Sequence, residues 1–135
     1  MKAQPIRYTG TLMLSMLLTA CTDMALTTIN TPSYLFGDIQ QQKGLSYGGK
    51  SHQKLDLYLP SAASESRKQL VVFVYGGNWT SGSRGHYYFV ADALTAAGYT
   101  VAIPDYIKYP QGVFPTFVED VALSIAWLTQ NAQQF

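Results

Sequence analysis

The sequence predicts an α/β fold in which antiparallel lead-in strands precede a parallel βαβ unit and a second helix. Three observations carry this. Gln40–Leu59 divides into two strand-like runs around a glycine turn. Leu70–Val74 is an unbroken apolar run, followed by apolar residues at helical spacing over His86–Ala97 and a further apolar run at Tyr99–Ile103. Thr116–Asn131 then returns to the helical period. Strand, helix and strand in that order make a parallel crossover.

The chain of 135 residues is 47% hydrophobic with a formal net charge of +1. That leaves room for one domain and points away from disorder. No basic stripe is present, so no nucleic-acid partner is expected. Met1–Ala20 reads as a targeting segment: Lys2 and Arg7 precede the apolar run Thr11–Ala20, which is too short to span a bilayer. Residues 21–39, polar and threonine-rich, read as a tether, with Tyr34, Leu35 and Phe36 as its packed lead-in to a domain over 40–135.

Within that domain, Gly48-Gly49-Lys50-Ser51 supplies the first turn. Leu55, Leu57 and Leu59 alternate with Asp56 and Tyr58, and Pro60 stops the strand. His52 reads as a solvated turn histidine rather than a catalytic base. Leu70–Val74 has the character of a strand covered on both faces. Gly76 and Gly77 follow it, and paired glycines past a strand end let a reacting group approach the main chain closely. Backbone N–H groups exposed there can point at a negatively charged oxygen, which is the geometry of an oxyanion hole.

Phe89, Val90, Ala93, Leu94 and Ala97 share one helical face, and Gly98 ends that helix. Ser83 lies in Ser-Gly-Ser-Arg-Gly, near the pattern of a nucleophile elbow, but no strand precedes it; Ser81 or Ser83 reads as a helix N-cap. Thr116 and Glu119 have capping-box spacing, and Val118, Val121, Ala122, Ile125 and Leu128 form the expected buried stripe of the last helix. No metal-ligand cluster or phosphate-binding loop appears, so no cofactor is expected.

Two resemblances add to this reading. Val74-Tyr75-Gly76-Gly77-Asn78-Trp79 resembles the HGG-x-W turn of the esterase and lipase branch of the α/β-hydrolase fold. The block from Pro104 to Leu128 resembles the next conserved stretch of that branch, and the likeness extends over about Tyr47–Phe135. It implies the N-terminal half of an α/β-hydrolase fold and carboxylic-ester chemistry, with an arylformamidase-like amide hydrolase or a non-catalytic lipoprotein as alternatives. The resemblance assigns the Gly77 and Asn78 amides to the oxyanion hole and the turn to Gly76. It makes Trp79 a packing anchor and Asp105 structural. Tyr75 stands where the family usually has histidine, Ile107 where it has arginine and Gln111 where it has glutamate, so the loop after Asp105 is expected to lack its usual tie. The family's serine nucleophile, acid and histidine follow in later blocks, so no catalytic triad residue is assigned. The chain is expected to be a catalytically incomplete portion of a small-ester or amide hydrolase. The second resemblance is to the bacterial lipobox: Leu18-Thr19-Ala20-Cys21 implies lipid on Cys21, anchorage in a bacterial cell envelope and, since Thr22 follows, the outer membrane.

Overall fold

The computed structural model describes residues 24–35, 39–61 and 66–135. Cys21, Phe36 and the targeting segment lie outside the described residues. Four strands, β1 (Gln40–Ser46), β2 (Lys54–Leu59), β3 (Leu70–Val72) and β4 (Thr100–Pro104), form one sheet in the order β1-β2-β4-β3. β1 and β2 are antiparallel, as are β2 and β4, whereas β3 and β4 are parallel. The helices are α1 (residues 24–35), α2 (Tyr88–Ala96) and α3 (Thr116–Gln130), with a 3₁₀ turn at Arg84–Tyr87 leading into α2. The expected antiparallel lead-in and parallel strand–helix–strand unit are both present.

Alternation along the central strands divides the core. Tyr58 of β2 with Val101 and Ile103 of β4 packs against Tyr88 and Ala91 of α2. Leu55 and Leu57, with Ala102, pack against Leu128 of α3. Successive residues of both strands therefore serve opposite faces, as the two-residue period requires. The register shift in β1 between Gln42 and Leu45 falls at Gly44, whose φ is 69°. The Gly44 amide donates to Asp56 Oδ1 at 2.8 Å, so the irregularity fastens to a buried carboxylate.

Several expectations need correction. β3 is shorter than Leu70–Val74: regular pairing ends at Val72, although the Phe73 amide still donates to the Ala102 carbonyl at 2.8 Å. It is an edge strand among the described residues, with Leu70 and Val74 exposed, rather than covered on both faces. Residues read as a tether carry α1. Asn30 of α1 is buried; its Nδ2 donates to the His86 carbonyl and its Oδ1 accepts from the Phe89 amide, both at 2.8 Å. Tyr34 stacks on Tyr88 at 4.2 Å, whereas Leu35, expected to pack, is exposed.

The capping box does not form. The Pro115 carbonyl accepts from the Val118 and Glu119 amides, so Pro115 holds the N-cap position and Thr116 is already helical. The buried stripe of α3 is also rotated from the expected one. Asp120, Ser124 and Leu128 face inward, while Val118 and Ile125 are each 45% exposed and Ala122 is exposed. Polar residues win the inner face because each has a partner. Asp120 accepts from Gln53 Nε2 at 2.8 Å and from the Ile107 amide at 2.9 Å, and Ser124 Oγ donates to the Val121 carbonyl. His52 is the last correction. Its Nε2 lies 2.9 Å from Asp120 Oδ2, so the histidine joins the β1–β2 turn to α3 rather than standing in solvent.

Candidate functional site

The chain turns sharply where β3 ends. Gly77 has φ 134°, Asn78 55°, Trp79 62° and Gly82 92°. Left-handed backbone is expected of glycine and strained for tryptophan, so three consecutive positive values mark a segment held by its surroundings. The Gly77 carbonyl accepts from the amides of Thr80 and Ser81 at 3.0 and 3.1 Å, and from the Thr80 hydroxyl at 3.0 Å. A side chain at Gly77 would place Cβ 2.2 Å from the Ser81 carbonyl oxygen, whereas one at Gly76 would meet nothing within 4 Å. Glycine is thus compulsory at Gly77 and not at Gly76.

Gly76, Gly77 and Asn78, the three residues singled out in the sequence, come together with Val74, Tyr75, Trp79 and Tyr106 around a pocket of about 290 Å³. Among the described residues, no acceptor takes a hydrogen bond from the Gly77 or Asn78 amide. Asn78 is exposed and Gly77 half-buried, so both amides stand open to water or to a ligand oxygen.

Beneath the turn lies a charged network. Tyr75 donates to Asp105 Oδ1 at 2.5 Å, and the Arg84 amide donates to the same oxygen at 3.0 Å. The Arg84 guanidinium pairs with Asp105 Oδ2 and, through Nε, with Asp56 Oδ1 at 2.7 Å. Burial pushes the Tyr75 hydroxyl far up from its ordinary pKa, and donation to Asp105 pushes it further. Burial works against the Arg84 charge, but Asp56 and Asp105 outweigh it and hold the guanidinium protonated. Asp105 has the structural part expected of it, since its backbone carbonyl also accepts from Tyr47 at 2.6 Å.

The loop after Asp105 is tied despite Ile107 and Gln111. The Tyr109 amide donates to the Trp79 carbonyl at 2.8 Å, and Tyr106 donates its hydroxyl to the Tyr75 carbonyl at 2.8 Å. Trp79 stacks on Phe117 at 4.5 Å and meets Tyr106 edge-on at 5.1 Å, the anchoring expected of it. Lys108 lies over the rings of Tyr75 and Tyr106, and burial lowers its pKa despite the nearby Asp105. Ser83 sits at the N-cap position of the 3₁₀ turn without a side-chain capping bond, in extended backbone, and not in a strand-to-helix elbow. Sequence reasoning missed Arg84 and the bridge it makes. The available signal was Asp56, a lone carboxylate within Leu-Asp-Leu-Tyr-Leu that needs a cation if both strand faces are covered.

Comparison with known proteins agrees with this architecture. The chain is 34% identical over 103 residues to isoprenylcysteine alpha-carbonyl methylesterase ICME of Arabidopsis thaliana, covering 76% of this chain and 24% of that protein. It is 33% identical over 85 residues to kynurenine formamidase of Danio rerio, covering 63% of this chain and 29% of that protein. The chain therefore spans less than a third of the length of these relatives. Among solved structures, esterase B from Lactobacillus rhamnosis superposes with a TM-score of 0.71 at 22% identity, covering 92% of this chain and 39% of that one. The structural likeness establishes part of the α/β-hydrolase fold. The family model for BD-FAE matches residues 55–135, from the start of β2 through the glycine turn and α3, and the chain belongs to this family of α/β-hydrolase esterases.

Proposed function

We propose that residues 76–78 form the oxyanion hole of a carboxylic-ester hydrolase. The supporting observation is the pair of unpartnered amides at Gly77 and Asn78, which line a pocket just beyond the parallel strand β3. In acyl transfer the carbonyl oxygen gains charge as the tetrahedral intermediate forms. Two fixed amides meet that charge without reorganising, each contributing about 3 kcal/mol to the transition state. The Tyr75–Asp105–Arg84 network keeps the turn in place before substrate arrives. Ser46 stands in Gly44-Leu45-Ser46-Tyr47-Gly48, which fits G-x-S-x-G, but it closes β1 ahead of the antiparallel turn into β2, whereas the elbow needs a strand running into a helix. Charge stabilisation needs an activated nucleophile to act upon, and the proposal gives residues 76–78 the stabilising part alone. An amide substrate of the formamidase kind is the second reading, favoured by the likeness to kynurenine formamidase. Cys21 carries lipid in this proposal and holds the protein to the bacterial envelope.

The test is a titration of isotope-labelled protein with a short-chain alkyl phosphonate monoester, an oxyanion mimic. The Gly77 and Asn78 amide resonances shift together while those of Gly98 and Gly112 stay fixed. Equal or absent shifts would reject the site. Hydrolysis of nitrophenyl acetate by this chain that disappears in Ser83→Ala would reject the assignment of Ser83 as structural.

A further inference from the structure

We infer that α1 lies flat on a phospholipid surface through its outward face. This goes beyond the ester-hydrolase proposal and rests on the lipid anchor at Cys21, which would hold the helix next to the bilayer. The helix is inverted relative to an ordinary surface helix. Its one fully buried residue is the polar Asn30, with Leu26 and Ser33 half-buried beside it, whereas Met24, Ile29 and Leu35 are 73%, 50% and 69% exposed. At 100° per residue, Met24, Ala25, Thr28, Ile29, Pro32 and Leu35 occupy a continuous arc roughly opposite Asn30. No residue from 24 to 35 carries a charge. A helix facing water ordinarily bears charged residues on its outer side, and an uncharged apolar outer face marks an interaction surface.

The hydroxyls add to the case. Thr28 Oγ1 donates to the Met24 carbonyl at 2.9 Å, and Thr31 Oγ1 to the Thr27 carbonyl at 3.0 Å. With their donor hydrogens used within the helix, these threonines can turn methyl groups outward. No described helix is long and apolar enough to cross a membrane, so α1 lies on the surface or does not engage it. Lys43 stands over the Tyr34 ring at 5.6 Å on the flank, where its ammonium suits a phosphate headgroup. The body of the protein holds the helix rigidly through Asn30 and Tyr34, so the arc is presented as a preformed face.

The experiment uses the full-length exported chain in vesicles of phosphatidylethanolamine and phosphatidylglycerol. Single nitroxide labels are placed through Met24→Cys, Ile29→Cys, Leu35→Cys and, as a solvent reference on α3, Gln130→Cys. These side chains are exposed, so labelling preserves the fold, and each variant is checked by its melting curve. Collision with dissolved oxygen, relative to a water-soluble nickel chelate, rises several-fold at the three α1 positions over Gln130→Cys. Equal ratios in vesicles that float with the protein would overturn the seating and leave the anchor intact. Labels shielded from both colliders would overturn it in favour of a protein cover such as a second copy. Failure to float would overturn anchor and seating together. The phosphonate titration at Gly77 and Asn78 reads the ester-hydrolase proposal independently of all three.

Discussion

Tyr75 and Asp105 meet at 2.5 Å across the base of the glycine turn, joining the end of β3 to the end of β4. Asp105 in turn holds Arg84, which reaches Asp56 in β2. The network therefore ties three strands to the segment that carries the candidate site. Removing the cation would leave a buried Asp56 and a largely buried Asp105 unpaired. Arg84→Met is expected to lower unfolding free energy by about 3–5 kcal/mol. Tyr75→Phe, which keeps the ring stacked on Tyr87 and Tyr106, is expected to cost about 1–3 kcal/mol. Arg84→Lys should fall between the wild type and Arg84→Met, because a single ammonium cannot match two carboxylates in fork geometry. Denaturant unfolding of the three variants checks the order.

The glycine turn makes a steric prediction. Gly77→Ala combines a φ of 134° with a main-chain oxygen 2.2 Å from the new Cβ, and the backbone must shift to admit it. A loss of at least about 1–3 kcal/mol is expected from the conformation alone. Gly76→Ala meets open space, and its melting temperature should stay near that of the wild type. Equal losses for both would show that the turn has another shape.

How much of this was legible in the residues depends on which force shaped each element. β2 and β4 are apolar runs closed by proline, and α2 has both a helical period and Gly98, so local pattern and burial agree. α3 was legible in extent but not in orientation. Its inner face is set by Asp120, whose partners His52, Gln53 and Ile107 come from other segments, and by Ser124, which satisfies its hydroxyl on the Val121 carbonyl of the same helix. α1 was not legible, because a threonine-rich stretch containing Pro32 has little intrinsic helix preference. Its fixed points are Asn30 and Tyr34, whose partners lie at 86–89. Gly77 announced a turn, whereas the left-handed Asn78 and Trp79 carry no glycine to announce them. The site's amides were legible and the charged network beneath them was not, since it joins residues far apart in sequence.

Asp120 supplies a pH dependence. Burial works to raise the pKa of its carboxyl, but hydrogen bonds from Gln53 and the Ile107 amide, with His52 close by, outweigh it and hold the group below the usual range. A carboxyl depressed in the folded state binds fewer protons there than in the unfolded chain. Its stabilisation is therefore fully present above the unfolded pKa of about 3.9 and is lost as pH falls through the lower folded value. Asp120→Asn is expected to be less stable than wild type at neutral pH, with the difference shrinking as pH falls below about 4. Unfolding curves between neutral and acidic pH check the convergence.

The contact between α1 and α2 yields a prediction that separates local from global stability. Asn30 satisfies a carbonyl at His86 and an amide at Phe89, where the 3₁₀ turn passes into α2. The first amides of a helix have no partner within it, so Asn30 acts as a cap supplied from elsewhere in the chain. In Asn30→Ala both groups lose this partner, and at about 1 kcal/mol for each net bond the expected cost is about 2 kcal/mol. Asn30→Asp keeps an acceptor for the Phe89 amide and loses the donor to His86, so it should recover part of that. Amide exchange distinguishes the mechanism: the Phe89 amide should exchange faster in Asn30→Ala and stay protected in Asn30→Asp. The Phe73 amide, bonded to Ala102 on the sheet, should change only as much as global stability does. Equal acceleration at Phe89 in both variants would show that α1 supports α2 by packing of Tyr34 on Tyr88 and not through this cap.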